Sequence, residues 1–344
     1  MEGQLMIRQF FKKPKPEVVL HVGMNKTGTT ALQSYLQHIS GQLAKHGILY
    51  PNAGRIGAAH YSLSASLGFC NPGVPSEWLC SPSKLLKSLE SEITSDTRQV
   101  IISSEDFLLN KSFNKLNTFF ESYPLKVIVY LRRHDHWWLS AYAQAVKMKH
   151  LPPWNRGPYG FINFQQKKNP RYGDYRYLID RWADAVGREN IIVRPYEFEQ
   201  NQPDLASDFL SSIGQQTLIS KLPTMAQRDN VSLPIRSLQL MDTFQRVNTS
   251  DAVRAALLSH AKQVTSEDTQ NNIQDMLKPE FRIRLVEDQM KTYRYIAETY
   301  LGRESGQLFY EPLPTPNSEW RGIPWPSHEE VAQHVIDVME QLNG

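Results

Sequence analysis

Short apolar, β-branched runs alternate through the first two thirds of the chain with longer stretches whose apolar positions recur every three or four residues. Residues 18–22, 100–103, 127–131 and 191–193 read as strands buried on both faces, each reached after a polar or charged stretch. The spacing predicts helices over 30–39, 84–93, 137–148 and 177–186, between and beside those strands. That alternation predicts an α/β fold: a doubly wound parallel sheet with helices on both faces, in three layers. From about Ala206 onward the strand pattern fades, and helices are expected over 205–213, 235–247, 252–264, 281–300 and 329–342. They should cap the sheet. A single domain over 1–344 is therefore expected, with an α/β core over 17–213 and a helical extension over 214–344. Proline-rich stretches at 313–317 and 323–326 predict a loop before the last helix. Residues 152–158 and 165–171 read as a long polar and aromatic loop, a candidate substrate lid.

Composition narrows the function classes. Hydrophobic residues make up 40% of the 344 and charged residues 21%, which excludes a chain that is mainly disordered, collagenous or of low complexity. The 38 Lys and Arg against 35 Asp and Glu leave a formal charge of +3. That is too balanced for a protein that coats nucleic acid, so any anion chemistry must be local. Cys70 and Cys80 cannot build a disulfide framework and lack the partners of a zinc site. Residues 1–15 carry no apolar run of signal-peptide length, and no segment reaches the roughly 18 apolar residues of a bilayer span. The chain reads as soluble and cytoplasmic, without membrane insertion.

The strongest local pattern follows the first strand. Gly23-Met24-Asn25-Lys26-Thr27-Gly28-Thr29-Thr30 is a glycine-containing turn with one lysine, then hydroxyl residues opening a helix. Such a loop suits a phosphate: glycine admits a nest conformation, the first helical N–H groups point outward, and Lys26 adds a movable charge. Thr29 and Thr30 offer hydroxyls to the same oxygens. A capped helix after a tight turn needs neither the lysine nor both glycines. A nucleoside-triphosphatase loop places its Lys directly after the second Gly, whereas Lys26 precedes Gly28.

The order instead resembles the 5′-phosphosulfate loop of sulfotransferases that use 3′-phosphoadenosine 5′-phosphosulfate (PAPS), above all the bacterial and carbohydrate types, whose loop commonly reads K-T-G-T-T. Here that string is Lys26 to Thr30. A second element supports the likeness. Arg132 ends the third predicted strand and Ser140 stands eight residues later, on the next helix. A strand-end arginine and a helix hydroxyl can converge on one phosphate at the carboxyl edge of a sheet, where ligands bind. The pair is similar to the family's 3′-phosphate element, although His134 stands where the family often has proline two positions after its arginine. The stretch from Tyr177 to Glu197 also resembles the family's later helix-strand unit, and the likeness extends loosely over 17–213. It implies a P-loop-like fold, PAPS as co-substrate and no metal. The acceptor it implies is a hydroxyl or amine of a saccharide or small metabolite.

Transfer of SO3 requires charge neutralisation at the leaving phosphate and removal of a proton from the acceptor. Lys26 suits the first. For the second, Glu105 lies just past the second strand, and His60 lies in the connection that supplies a catalytic Glu in some carbohydrate sulfotransferases; Glu105 is preferred. A carboxylate at a helix start and an ordinary loop histidine are the bland readings of these two. His134 and His136 lack metal-ligand spacing and read as structural or substrate-facing. Trp137 and Trp138 read as core, and Lys167, Lys168 and Arg171 as a solvated charge cluster or a greeting for an anionic saccharide. Residues 228–232 are a polar loop that either closes over the nucleotide or caps the next helix through Ser232. Two other readings stand beside a sulfotransferase: a nucleotide kinase, disfavoured by the lysine position and the missing magnesium carboxylate, and a non-catalytic nucleotide-binding module.

Overall fold

The computed structural model describes residues 14–70, 74–108, 112–225, 233–264, 272–317 and 319–343. Five parallel strands form one sheet in the order β2-β3-β1-β4-β5: β1 (Glu17–His21), β2 (Ile48–Leu49), β3 (Gln99–Ser103), β4 (Leu125–Leu131) and β5 (Ile191–Pro195). Four of them were legible as apolar runs. The fifth, β2, pairs only Ile48 and Leu49 with β3, too short a stretch to carry a period. Side chains alternate between two cores, as the pleat requires. Val18, Leu20, Ile102, Val127 and Val129 face one, with Trp137, Tyr142 and Ile179 from the covering helices. Val19, Ile101, Ile128 and Tyr130 face the other, with Leu32, Leu36 and Phe209. The result is the three-layer, P-loop-like α/β arrangement.

The C-terminal helices Ile235–Phe244, Asp251–Gln263, Pro279–Glu287, Met290–Leu301 and His328–Asn343 send Leu240, Leu257, Leu285, Ile296 and Val338 into the same core as the first sheet face. They cap it as expected. Two expectations need correction. The 281–300 helix is broken between Glu287 and Met290, although Leu285 and Val286 of its first half and Tyr293, Ile296 and Ala297 of its second enter the same core. The expected loop over 152–158 and 165–171 is interrupted by a helix, Gly157–Lys168, which takes the last two residues of the first stretch and the first four of the second, with Pro158 in its first turn. Between the two stretches Phe161 packs edge-on against Trp138 and Trp154; Trp154, Gly157 and Pro158 are buried, whereas residues 166–171 are exposed. Short helices at Ser40–Lys45, Tyr61–Ser66 and Asn114–Phe120 were not anticipated. Among the described residues no helix is long and apolar enough to cross a membrane.

Candidate active site

Because every strand runs the same way, the segments after β1, β3, β4 and β5 emerge at one edge of the sheet. β1 is the switch point, flanked by β3 and β4, and ligands of such sheets bind at the crevice this creates. Pairing with β4 continues beyond β1 into the loop: Met24 N donates to Tyr130 O at 3.1 Å and Tyr130 N to Gly23 O at 2.9 Å. The loop is thus pinned to the sheet up to the residue before its polar stretch.

Within the loop, Lys26 has φ 68° and Gly28 φ 73°, both left-handed. That conformation is strained for lysine and free for glycine. Gly28 is needed for packing too, since a Cβ there would lie 2.6 Å from Leu205 Cδ2 and 3.1 Å from Tyr196 Cε2. Thr27 and Thr29 are buried, and both hydroxyls donate to the Met24 carbonyl. They brace the loop, and Thr29 also lines the cleft. Thr30 is exposed on the cleft. No side chain caps the helix Thr29–His38, whereas Ser81, Asp174, Asp204 and Ser250 each cap a helix elsewhere. The uncapped N-terminus keeps its N–H groups available for an anion.

The loop and the strand-end arginine meet. Arg132 Nη1 donates to Ser140 Oγ at 2.8 Å and to the Lys26 carbonyl at 3.1 Å, and its guanidinium lies over the Tyr196 ring, 5.7 Å from the centroid. Among the described residues no carboxylate pairs with it. Burial lowers its pKa. The Lys26 ammonium donates to Gln144 Oε1 at 2.7 Å. Burial, with the nearby Lys147 and Arg132 charges, lowers its pKa, offset by Glu105. These residues line a cleft of about 510 Å³ whose described wall carries Lys26, Arg132 and Lys147 against Glu105 as its carboxylate. Such a surplus of cations favours an anionic ligand.

Arg133, next in sequence, is used differently. It is 3% exposed, clasps Asp135 through Nε to Oδ1 at 2.8 Å and Nη2 to Oδ2 at 3.0 Å, and donates Nη1 to the carbonyls of Glu311 and Pro312. Arg282 adds a bond to Asp135 at 2.8 Å, and these cations hold the Asp135 pKa down to about 2 against its burial. His134 is buried, with Nδ1 beside the Tyr293 hydroxyl at 2.6 Å and Nε2 at the Gly173 carbonyl at 2.8 Å. It is structural. His136 lines the cleft and contacts Glu311 Oε1 at 2.9 Å.

Of the two candidate bases, Glu105 lies in the cleft wall. Its Oε1 accepts from Tyr61 OH at 2.8 Å and its Oε2 from Gln33 Nε2 at 3.1 Å, leaving lone pairs on both oxygens for an acceptor. Burial and the Glu105 charge push the pKa of neighbouring Asp106 up to about 6. The structure does not bring His60 into the cleft. The ring is fully buried; its Nε2 can only donate to the Pro51 carbonyl, at 3.0 Å, so Nδ1 carries the lone pair and accepts from Ser103 N at 3.1 Å. Burial lowers its pKa to about 4. No basic nitrogen remains for a substrate, and the residue ties its connecting segment to β3. Trp137 and Trp138 are core. Lys167, Lys168 and Arg171 are exposed and outside the cleft, with Arg171 paired to Asp174. Residues 228–232 lie outside the described residues.

Sequence reasoning missed Gln144 and Tyr61. Gln144 was within reach, one turn beyond Ser140 on the same helix face. Tyr61 was not, because nothing local shows that its segment returns to β3.

No protein-family model matches the chain. An uncharacterized protein of Archaeoglobus fulgidus is 34% identical over 119 residues, 33% of this chain and 30% of that protein's length. The chain is similar in structure to a sulfotransferase from Alicyclobacillus acidocaldarius, with 18% identity, a TM-score of 0.42, and coverage of 75% of this chain and 99% of that one. It is also similar to mouse sulfotransferase SULT7A1 complexed with PAP, with 12% identity, a TM-score of 0.40, and coverage of 85% and 87%.

Proposed function

We propose that the chain is a sulfotransferase that moves a sulfuryl group from PAPS to a hydroxyl, or an amine, of a saccharide or small metabolite. One observation carries the reading: the Arg132 guanidinium, free of any carboxylate among the described residues, joins Ser140 to the Lys26 carbonyl and so merges two anion-binding elements into one cleft. In this reading Arg132 and Ser140 hold the 3′-phosphate of the donor. The N–H groups at the start of the helix Thr29–His38, with Thr30, take the 5′-phosphosulfate. The Lys26 ammonium turns from Gln144 to the oxygen between phosphorus and sulfur, where negative charge grows as the S–O bond breaks. Glu105, oriented by Tyr61 and Gln33, takes the acceptor proton as the new S–O bond forms.

Calorimetry with adenosine 3′,5′-bisphosphate, against ATP with magnesium, tests the donor class. Tight binding of the bisphosphate and none of ATP is expected; the reverse would establish the kinase reading. A mass-spectrometric screen of acceptors with PAPS should then find a product heavier by one SO3. Donor binding without turnover on any acceptor would leave the non-catalytic module.

A further inference from the structure

The helical part of the molecule assembles three side chains that no local spacing announces. His260 lies on the helix Asp251–Gln263, and His334 and Asp337 lie one turn apart on the helix His328–Asn343. His260 Nε2 is 3.0 Å from His334 Nδ1, with the ring centroids 5.1 Å apart and the planes at 62°. One donor atom from each of the three residues lies within 4.8 Å of the other two, and all three residues are half-buried. None of them lines the cleft.

We infer that His260, His334 and Asp337 bind a divalent transition-metal ion, zinc in the first instance, that joins the two helices. Two imidazoles and a carboxylate are a donor set that zinc accepts; bonds of about 2.0–2.2 Å around a tetrahedral ion put neighbouring donor atoms roughly 3.3 Å apart. The two histidines already stand near that spacing, and a side-chain rotation brings Asp337 to it. Gln333 Nε2 donates to Asp337 Oδ1 at 2.9 Å, the kind of outer hydrogen bond that orients a metal-binding carboxylate. The fourth position is left for water or an exogenous oxygen or nitrogen ligand. Without metal, the contact between the rings needs one to donate N–H to the other's lone pair. With metal, both facing nitrogens present lone pairs, so the donating ring carries its proton on its other nitrogen and neutral rings release none. A sequence search for zinc motifs fails here because the two histidines are 74 residues apart.

The inference is independent of the sulfotransferase reading, and its test reads binding alone. The full chain, stripped with a chelator, is titrated with zinc chloride by calorimetry beside the double variant His260→Ala/His334→Ala and the single variant Asp337→Asn. Wild type should take up one ion per chain and melt at a higher temperature with zinc than without. Loss of an outer hydrogen bond costs about 10–100-fold in affinity, so loss of both imidazoles should cost at least about a hundredfold. Cobalt in place of zinc should give wild type, and not the double variant, the visible absorption of a four-coordinate ion. Should the double variant fail to fold, Asp337→Asn, which keeps the residue's size and hydrogen bonds, must still weaken zinc binding. No stoichiometric uptake by wild type, or equal uptake by the variants, overturns the inference.

Discussion

Arg132 and Arg133 are adjacent in sequence and opposite in circumstance. Arg133 is saturated: Asp135 neutralises it, the carbonyls of Glu311 and Pro312 take both Nη1 donors, and His136 Nε2 stands 3.1 Å from Nη2. Arg132 is left with a hydroxyl, a carbonyl and an aromatic face, none of them an anion. A half-buried guanidinium without a counter-charge keeps part of its desolvation cost, which an anionic ligand would offset. Glu105 and His60 repeat the contrast. Both sit at the end of β3, but the carboxylate keeps free lone pairs on the cleft whereas the imidazole has both nitrogens engaged in the frame behind it. Residue type does not separate site from scaffold in either pair; saturation of the polar atoms does.

Five experiments sharpen or break that division. Glu105→Gln, nearly the same size but unable to take a proton, should lower turnover by about 10²–10⁴ while binding the donor normally. Activity within a few-fold of wild type would remove Glu105 as base and point to an amine acceptor with its own lone pair. Asp135→Ala strands Arg133 and Arg282 in the interior and should cost about 3–5 kcal/mol of stability in urea unfolding; a loss below about 1 kcal/mol would contradict the structural role given to that cluster. Arg132→Ala should weaken adenosine 3′,5′-bisphosphate by about 2–5 kcal/mol and leave adenosine 5′-phosphosulfate, which lacks the 3′-phosphate, almost unchanged. Equal losses for both would make Arg132 as structural as its neighbour. Lys26→Ala should cost on the order of a hundredfold in turnover with the fold intact, and a folded variant of near-normal activity would end its proposed role.

The fifth test is a pH slope. Burial lowers the folded pKa of His60 and of His134 from 6.5 to about 4, so between these values the unfolded chain binds more protons than the folded one. Stability contributed by the neutral rings is complete above about pH 6.5 and is lost as the pH falls toward about 4. Urea midpoints measured across that window should decline, and His60→Gln should flatten the decline. An unchanged slope would mean that His60 is not held neutral.

The strands, the phosphate loop and the arginine-serine spacing were legible because each is written in consecutive or near-consecutive residues. An apolar run buried on both faces is a strand wherever it packs, and Gly28 in Lys26 to Thr30 supplies the left-handed residue at which the turn enters the helix. Where meaning depends on a distant partner, the local pattern was silent or misleading. Residues 152–158 and 165–171 read as loop, and the helix Gly157–Lys168 that runs between them shows only once Trp138 and Trp154 cover Phe161. His60 resembles a base until Pro51 and Ser103 occupy its ring. Arg133 shows no difference from Arg132 in the sequence until Asp135 turns it inward, with Arg282 and Glu311 completing the cluster from more than a hundred residues away. The sequence alone showed four of the five strands and the chain order in which their carboxyl ends are followed by a loop, a carboxylate and an arginine. Only the tertiary structure decided which of those polar groups remain unsaturated, because a hydrogen bond depends on where two atoms meet and not on how far apart they stand in the chain.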